Sequence, residues 1–256
     1  MNEPMQNIER AARLLAAARR RREPAAAGTA VLPDALAAYA VQDAVAAALG
    51  WFVDAPARHW KSGGPARDAV LTHAPLPPDG VWASPADARE WPFSSRGIEA
   101  EIALRLERDV SPAEAQALDA NQAATLVDAM CVSIEIVDSR WIEGLEAPAL
   151  AKLADLQSHG ALVLGAWRPF EDRDWAAQEC IVQISDKPPI RRRGTHALAD
   201  PTFVLPEWLR HATRDGRSVA AGTVVTTGTW VGILSSQAGD HVCAEFPGIG
   251  QASVQL

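Results

Sequence analysis

The chain has 256 residues, 48% of them apolar, and sets 24 basic against 32 acidic side chains for a net charge of −8. That length buries a substantial core, in one large domain or a domain with a helical annex. The acidic balance argues against nucleic-acid binding and against attraction to anionic membranes, which leaves a small molecule as the expected partner. Cys131, Cys180 and Cys243 are odd in number and far apart, so they read as core thiols in a reducing compartment rather than as a disulfide framework or a zinc cluster. The sequence has no leader of the basic, apolar and cleavable type and no run of about 18 apolar residues. A soluble, cytoplasmic protein is expected.

Residues Ile8 to about Arg22 carry Ile8, Ala11, Ala12, Leu15 and Ala16 at helical spacing, which predicts an amphipathic helix. Its end bears Arg19, Arg20, Arg21 and Arg22, where cations suit the negative end of the helix dipole. A solvated terminus is the first reading of that cluster and an anion site the second. Leu36 to Leu49 predicts another helix, stopped by Gly50, with Tyr39 and Gln42 on one turn. Two helices therefore precede the main domain.

From Trp51 to Pro92 the composition turns to Gly, Pro and Trp around short apolar pieces, as in loops and short strands. Within it, His59-Trp60-Lys61-Ser62-Gly63-Gly64 places a lysine beside a glycine pair, where a backbone can approach a ligand closely. By composition alone Lys61 reads as a solvated lysine, and Asp79-Gly80 as an ordinary turn.

The stretch Gly97-Ile98-Glu99-Ala100-Glu101-Ile102-Ala103-Leu104-Arg105-Leu106 alternates apolar and polar residues as a half-buried strand does. Ile98, Ala100, Ile102, Leu104 and Leu106 then face a core, and Glu99 and Glu101 project together on the other face, about 7 Å apart. Carboxylates that close repel unless a cation holds them. An isolated pair is most simply a solvated strand face. A second β-branched run, Val132 to Arg140 with Glu135 in its middle, offers a third carboxylate.

Between the two strands, Ser111-Pro112-Ala113-Glu114 has an N-cap, a proline at the first helical position and a capping-box acid, predicting a helix to about Met130. Farther on, His159 reads as a partly buried histidine ahead of a proton carrier. Residues 179 to 190 and 217 to 256 read mainly as strands and turns. There Gly222 to Thr229 ends a β-branched strand in hydroxyls and glycine, a cradle suited to a carboxylate.

Taken together, these pieces resemble the fumarylacetoacetate hydrolase superfamily, in its branch of 2-oxopent-4-enoate (2-hydroxypenta-2,4-dienoate) hydratases and oxalocrotonate decarboxylases. The carriers are His59-Trp60-Lys61-Ser62-Gly63, Glu99-Ala100-Glu101, Glu135 to Arg140, Ala154-Asp155 through Ser158-His159-Gly160, Val225 to Gly228, and Ala244 to Gly250. The resemblance implies an α+β fold, a mixed β-roll catalytic domain of the family's C-terminal type over 59–256 behind a helical segment over 1–58. It further implies Mg²⁺ or Mn²⁺ on Glu99, Glu101 and Glu135, acid/base work by Lys61 with Asp79 as its acidic partner, and substrate contacts from Ser158, Thr227 and Gly228. A 2-oxo acid substrate and a homo-oligomer go with it.

Two features depart from the family. Val-Gly-Leu commonly follows the lysine where this chain has Ser62-Gly63-Gly64, and the Pro-Asp-Tyr/Phe-Gly turn is here Pro78-Asp79-Gly80, without the aromatic. The expected reaction is hydration of a 2-hydroxy-2,4-dienoate to a 4-hydroxy-2-oxo acid in aromatic-compound catabolism. Oxalocrotonate decarboxylation, acylpyruvate hydrolysis or a catalytically silent binding subunit are the alternatives.

Overall fold

A computed structural model of the chain describes residues 3–29 and 31–256. Its elements run α1 (Glu3–Arg21), α2 (Ala35–Leu49), β1 (His59–Gly63), β2 (Thr72–Pro75), β3 (Val81–Ala83), β4 (Ala86–Asp87), β5 (Gly97–Leu106), α3 (Pro112–Ala117), α4 (Ala120–Ala124) and β6 (Val127–Val137). There follow α5 (Ala149–Ala154), β7 (His159–Leu164), β8 (Arg168–Pro169), β9 (Glu179–Ile184), β10 (Ile190–Arg193), α6 (Leu205–Ala212), β11 (Val224–Thr226), β12 (Leu234–Ser235), β13 (His241–Phe246) and β14 (Gly250–Gln255).

Among the described residues the strands form two sheets. The nine-stranded sheet runs β2-β1-β11-β5-β6-β7-β3, with β12 on β5 and β8 on β6, and the five-stranded sheet runs β10-β9-β13-β14-β4. The sheets meet through one apolar cluster. Ile98, Ala100, Ile102, Leu104 and Leu106 of β5 are all buried in it, with Val242, Ala244 and Phe246 of β13 and Val254 of β14. The alternation in β5 thus marks the core face as expected, and this mixed-sheet architecture with helices at the N-terminus is the fold anticipated. The opposite face of β5 is partly covered: Glu101 is only 2% exposed and Ala103 is buried, while Glu99 and Arg105 are half-buried.

Both N-terminal helices form. Asp34 caps α2 by accepting from the Ala37 N–H at 2.8 Å, and Gly50 closes it in a left-handed conformation at φ 70°, which costs a residue without Cβ least. These helices bury Ala11, Leu15, Ala38, Val41 and Val45 against Trp141, Ala151 and Leu153. The helical segment therefore shares its core with α5 and the loop before it.

One helix is shorter than expected. Ser111 does cap α3, accepting from the Glu114 N–H at 3.2 Å, but the chain turns extended at Leu118 (φ −69°, ψ 131°). Asp119 and Gln122 then build a reciprocal capping box that restarts the chain as α4. Met130 lies in β6, where apolar and β-branched residues from Val127 onward pair with β5. Helix α6, amphipathic with Trp208 and Leu209 buried, lies between the two segments expected to be strands. No described helix is long and apolar enough to cross a membrane.

Candidate active site

Strand register brings the acids together. In the antiparallel β5–β6 ladder Glu99 stands directly opposite Glu135, and Glu101 projects from the same face of β5 two residues on. One oxygen from each of Glu99, Glu101 and Glu135 lies within 4.8 Å of the others. Next to β5 on its other side is β11, and β1 pairs parallel to β11 with Lys61 opposite Thr226. Strands β1, β5 and β11 thus bring Lys61, Glu99, Glu101 and Thr226 to one cavity of about 380 Å³, walled also by Gln157, Ser158 and Gly228, with Glu135 of β6 fully buried beside them.

Each buried carboxylate has donors of its own. Glu135 Oε1 accepts from Lys61 Nζ at 2.5 Å and lies 3.1 Å from His159 Nδ1. Its Oε2 is buried with no hydrogen-bond partner. Glu101 Oε2 accepts from the Thr226 hydroxyl and from the Gly228 N–H at 3.1 Å. The hydroxyl-and-glycine cradle at the end of β11 does hold a carboxylate, and that carboxylate is Glu101. Gly228 sits at φ 104°, a conformation that only glycine adopts cheaply.

Burial and the neighbouring Glu135 push Glu99 up to about 8 and Glu101 up to about 7, the second against the pull of Lys61 and its own hydrogen bonds. Burial would raise Glu135 too, but Lys61 and His159 hold it below the ordinary carboxylate range. Burial opposes the charge on Lys61, yet Glu135, Glu99 and Glu101 together keep its pKa above the usual lysine value. The three carboxylates therefore favour a charged Lys61.

The wall opposite the acids is a strained turn. Leu156, Gln157 and Ser158 all have left-handed backbones, φ 54°, 55° and 58°, at a cost of about 1 kcal/mol or more each. The turn is fixed by Ser158 N–H to the Asp155 carbonyl at 3.0 Å and by Asp138 N–H to the Ser158 carbonyl at 2.8 Å. It places the Gln157 carbonyl 3.4 Å from Lys61 Nζ and leaves the buried Ser158 Oγ without a partner beside the cavity.

Two expected site residues lie elsewhere. Asp79 is exposed, on the short helical turn Pro78–Gly80, and lines a different cavity. The carboxylate that pairs with Lys61 is Glu135, already in hydrogen-bond reach. Thr227 turns its hydroxyl away, donating to the Ile102 carbonyl at 2.8 Å, because alternation along the chain gives its neighbour Thr226 the cavity face. Thr226, Gln157 and His159 complete the surroundings of the acids. For His159 the signal was its place at the start of β7, the strand that pairs with β6.

An oxygen-only set of three carboxylates, two with their ionisation opposed by burial and by their neighbours and one with an orphaned buried oxygen, fits a hard divalent cation. Glu99, Glu101 and Glu135 would hold it.

Residues 57–256 match the family model described as Fumarylacetoacetate (FAA) hydrolase C-terminal. The chain is 31% identical over 158 residues to 2-keto-4-pentenoate hydratase 1 of Dechloromonas aromatica (strain RCB), covering 61% of this chain and 58% of that protein. It is equally similar, again over 158 residues, to 2-keto-4-pentenoate hydratase of Paraburkholderia phymatum, covering 60% and 57%. The matched stretch thus spans under two thirds of those relatives. Among solved structures, 4-oxalocrotonate decarboxylase from Pseudomonas putida G7, complexed with magnesium and adipate, superposes with a TM-score of 0.82 at 16% identity, over 100% of this chain and 98% of that one. Its complex with calcium and acetate superposes equally well. At that identity the likeness is one of fold.

Proposed function

The chain belongs to the fumarylacetoacetate hydrolase family, and from that premise we propose that it is a divalent-metal-dependent hydro-lyase. It adds water to a 2-hydroxy-2,4-dienoate such as 2-hydroxypenta-2,4-dienoate and yields a 4-hydroxy-2-oxo acid. The observation that carries this reading is the convergence of Glu99, Glu101 and Glu135 within 4.8 Å, next to a cavity that Glu99, Glu101 and Lys61 line. The hydratase relatives at 31% identity support the choice of hydration.

Mg²⁺ or Mn²⁺ on the three carboxylates would supply Lewis acidity to the 2-oxygen of the substrate and offset the charge of the acid cluster. Lys61, charged and at the cavity wall, compensates the substrate carboxylate and carries a proton at Nζ for delivery to a substrate carbon. Positioned proton transfer of this kind contributes on the order of 10² to 10⁴ in rate. His159 Nδ1 and Lys61 Nζ orient Glu135, while Thr226 and Gly228 orient Glu101. The unpartnered Ser158 hydroxyl is free to bond the substrate. The proton balance of hydration is simple: the dienol gives up its O–H proton and gains one at C5, then water places its oxygen on C4 and a proton on C3. Assembly as a homo-oligomer, residence in the cytoplasm and a part in aromatic-compound catabolism belong to the same reading.

The test is the loss of dienoate absorbance on adding enzyme, with and without Mg²⁺ or Mn²⁺. Turnover that needs the metal and vanishes in Glu101→Ala, with that variant folded, is expected. A dienoate left unchanged at all metal concentrations would remove the proposal.

A further inference from the structure

The arginine cluster at the end of α1 has no part in the chemistry above, and it lines a cavity of its own. This cavity, about 270 Å³, lies among the end of α1, the end of α2, the Pro77–Gly80 turn and the segments 91–94 and 138–140. It shares no lining residue with the acid-cluster cavity. Arg19, Arg20, Arg22 and Arg140 line it, with the indoles of Trp51 and Trp91.

Cation and anion are not matched there. Arg140 is fully engaged: its Nε and backbone N–H reach Asp155 at 2.9 Å, and Nη2 donates to the carbonyls of Asp138 and, at 2.8 Å, His159. Asp138 is likewise taken up by the Ser94 and Ser95 N–H groups at 3.1 and 2.7 Å. Arg19, only 14% exposed, reaches Asp155 at 3.1 Å through Nη2 and stacks on Trp51 at 5.1 Å. Its other N–H groups have no protein acceptor among the described residues. Arg20 donates only to the Ala48 carbonyl, and Arg22 has no ion pair among them. Asp79, on the opposite rim, has no ion pair either, so the lining carries four cations against two carboxylates. Burial, with the like charge of Arg140 beside it, brings Arg19 down to about 9.

We propose that this cavity binds a small organic carboxylate. The anion would sit on the free N–H groups of Arg19 and on Arg22, and the apolar body would lie against Trp51 and Trp91. Guanidinium forks match carboxylate geometry with two parallel hydrogen bonds, and indole faces reward a flat apolar body. Ala18, Leu49, Pro77 and Pro92 extend the apolar wall for that body, beside Ser94 and Ser139.

The experiment is calorimetric titration of benzoate into the full chain in chelator-treated buffer, so that no metal recruits it to the acid cluster. One site per chain is expected. Arg22→Glu should weaken it at least about tenfold by reversing a charge at the anion, and Trp91→Ala should weaken it measurably. Arg22 is exposed and unpaired, so its replacement leaves the melting temperature in place and isolates binding. Inorganic phosphate is expected to bind at least about tenfold more weakly than benzoate. No benzoate heat up to about 10 mM, or an affinity unchanged by Arg22→Glu, would overturn the site. Phosphate binding as tight as benzoate would overturn the organic ligand class.

Discussion

Lys61 Nζ and Glu135 Oε1 stand 2.5 Å apart, the lysine at a cavity wall and the glutamate side chain fully buried. The pair joins the strand next to β11 to the strand beyond β5, so a cation and a carboxylate far apart in sequence become one unit. Replacing Lys61 with Met keeps most of the side-chain volume and removes the charge. Turnover should fall on the order of 10² to 10⁴-fold, with circular dichroism showing a folded protein and metal affinity nearly retained. Wild-type kcat in this variant would reduce the lysine to a structural partner.

The metal-free protein should have a distinctive pH dependence. Glu99 and Glu101 titrate near 8 and 7 when folded, above the ordinary value of 4.5. Between those values the folded chain holds protons that the unfolded chain has released, so the stability these groups contribute is full below about pH 4.5 and falls as pH rises through 7 to 8. Thermal melts in chelator should therefore show wild-type losing stability from pH 5.5 to 8 relative to Glu99→Gln/Glu101→Gln. The same protons compete with the cation, so Mg²⁺ affinity should climb over that interval. Parallel pH curves for the two proteins would contradict the assignment.

Thr226 donates to Glu101 and lies 2.9 Å from the Ser133 hydroxyl, a chain of buried hydroxyls behind the carboxylate. Thr226→Val keeps the shape and deletes the donor. Metal affinity by calorimetry should drop roughly 10- to 100-fold, as for other groups that orient a ligand, and a change below about twofold would show that Gly228 alone suffices.

Asp155 is a stability determinant rather than a site residue. Buried at 1% exposure, it accepts from Arg19 and from both the side chain and backbone of Arg140. Asp155→Ala leaves two largely buried guanidinium groups short of an anion, which should cost about 3 to 5 kcal/mol. For a chain of this size that is a lowering of the melting temperature by roughly 10 °C.

The sequence carried the alternation of β5, the glycine stop of α2, the serine cap of α3 and the pairing of Glu99 with Glu101, because those signals are local. Where the expectation failed, the deciding contact was distant or a single residue of phase. The helix after Ser111 stopped early because Asp119 and Gln122 cap each other and the following residues pair with β5. Thr227, implied by the family resemblance, turns its hydroxyl to the Ile102 carbonyl and leaves the cavity side to Thr226, a difference of one residue in strand phase. Asp79 was matched to Lys61 through the family's turn, which here lacks its aromatic and leaves the aspartate on the outer side. Glu135 as the lysine's partner depended on the order β1-β11-β5-β6, which no short stretch encodes.

The most direct measurement is product identification by NMR after incubating the Mg²⁺- or Mn²⁺-loaded protein separately with 2-hydroxypenta-2,4-dienoate, an oxalocrotonate and an acylpyruvate. A divalent ion would supply Lewis acidity at the 2-oxygen in all three reactions, so metal dependence alone does not separate them, whereas carbon balance does. The account predicts 4-hydroxy-2-oxopentanoate from the dienoate, with every carbon retained. Stoichiometric CO₂ from the oxalocrotonate, or pyruvate and a second acid from the acylpyruvate, with the dienoate untouched, would contradict it.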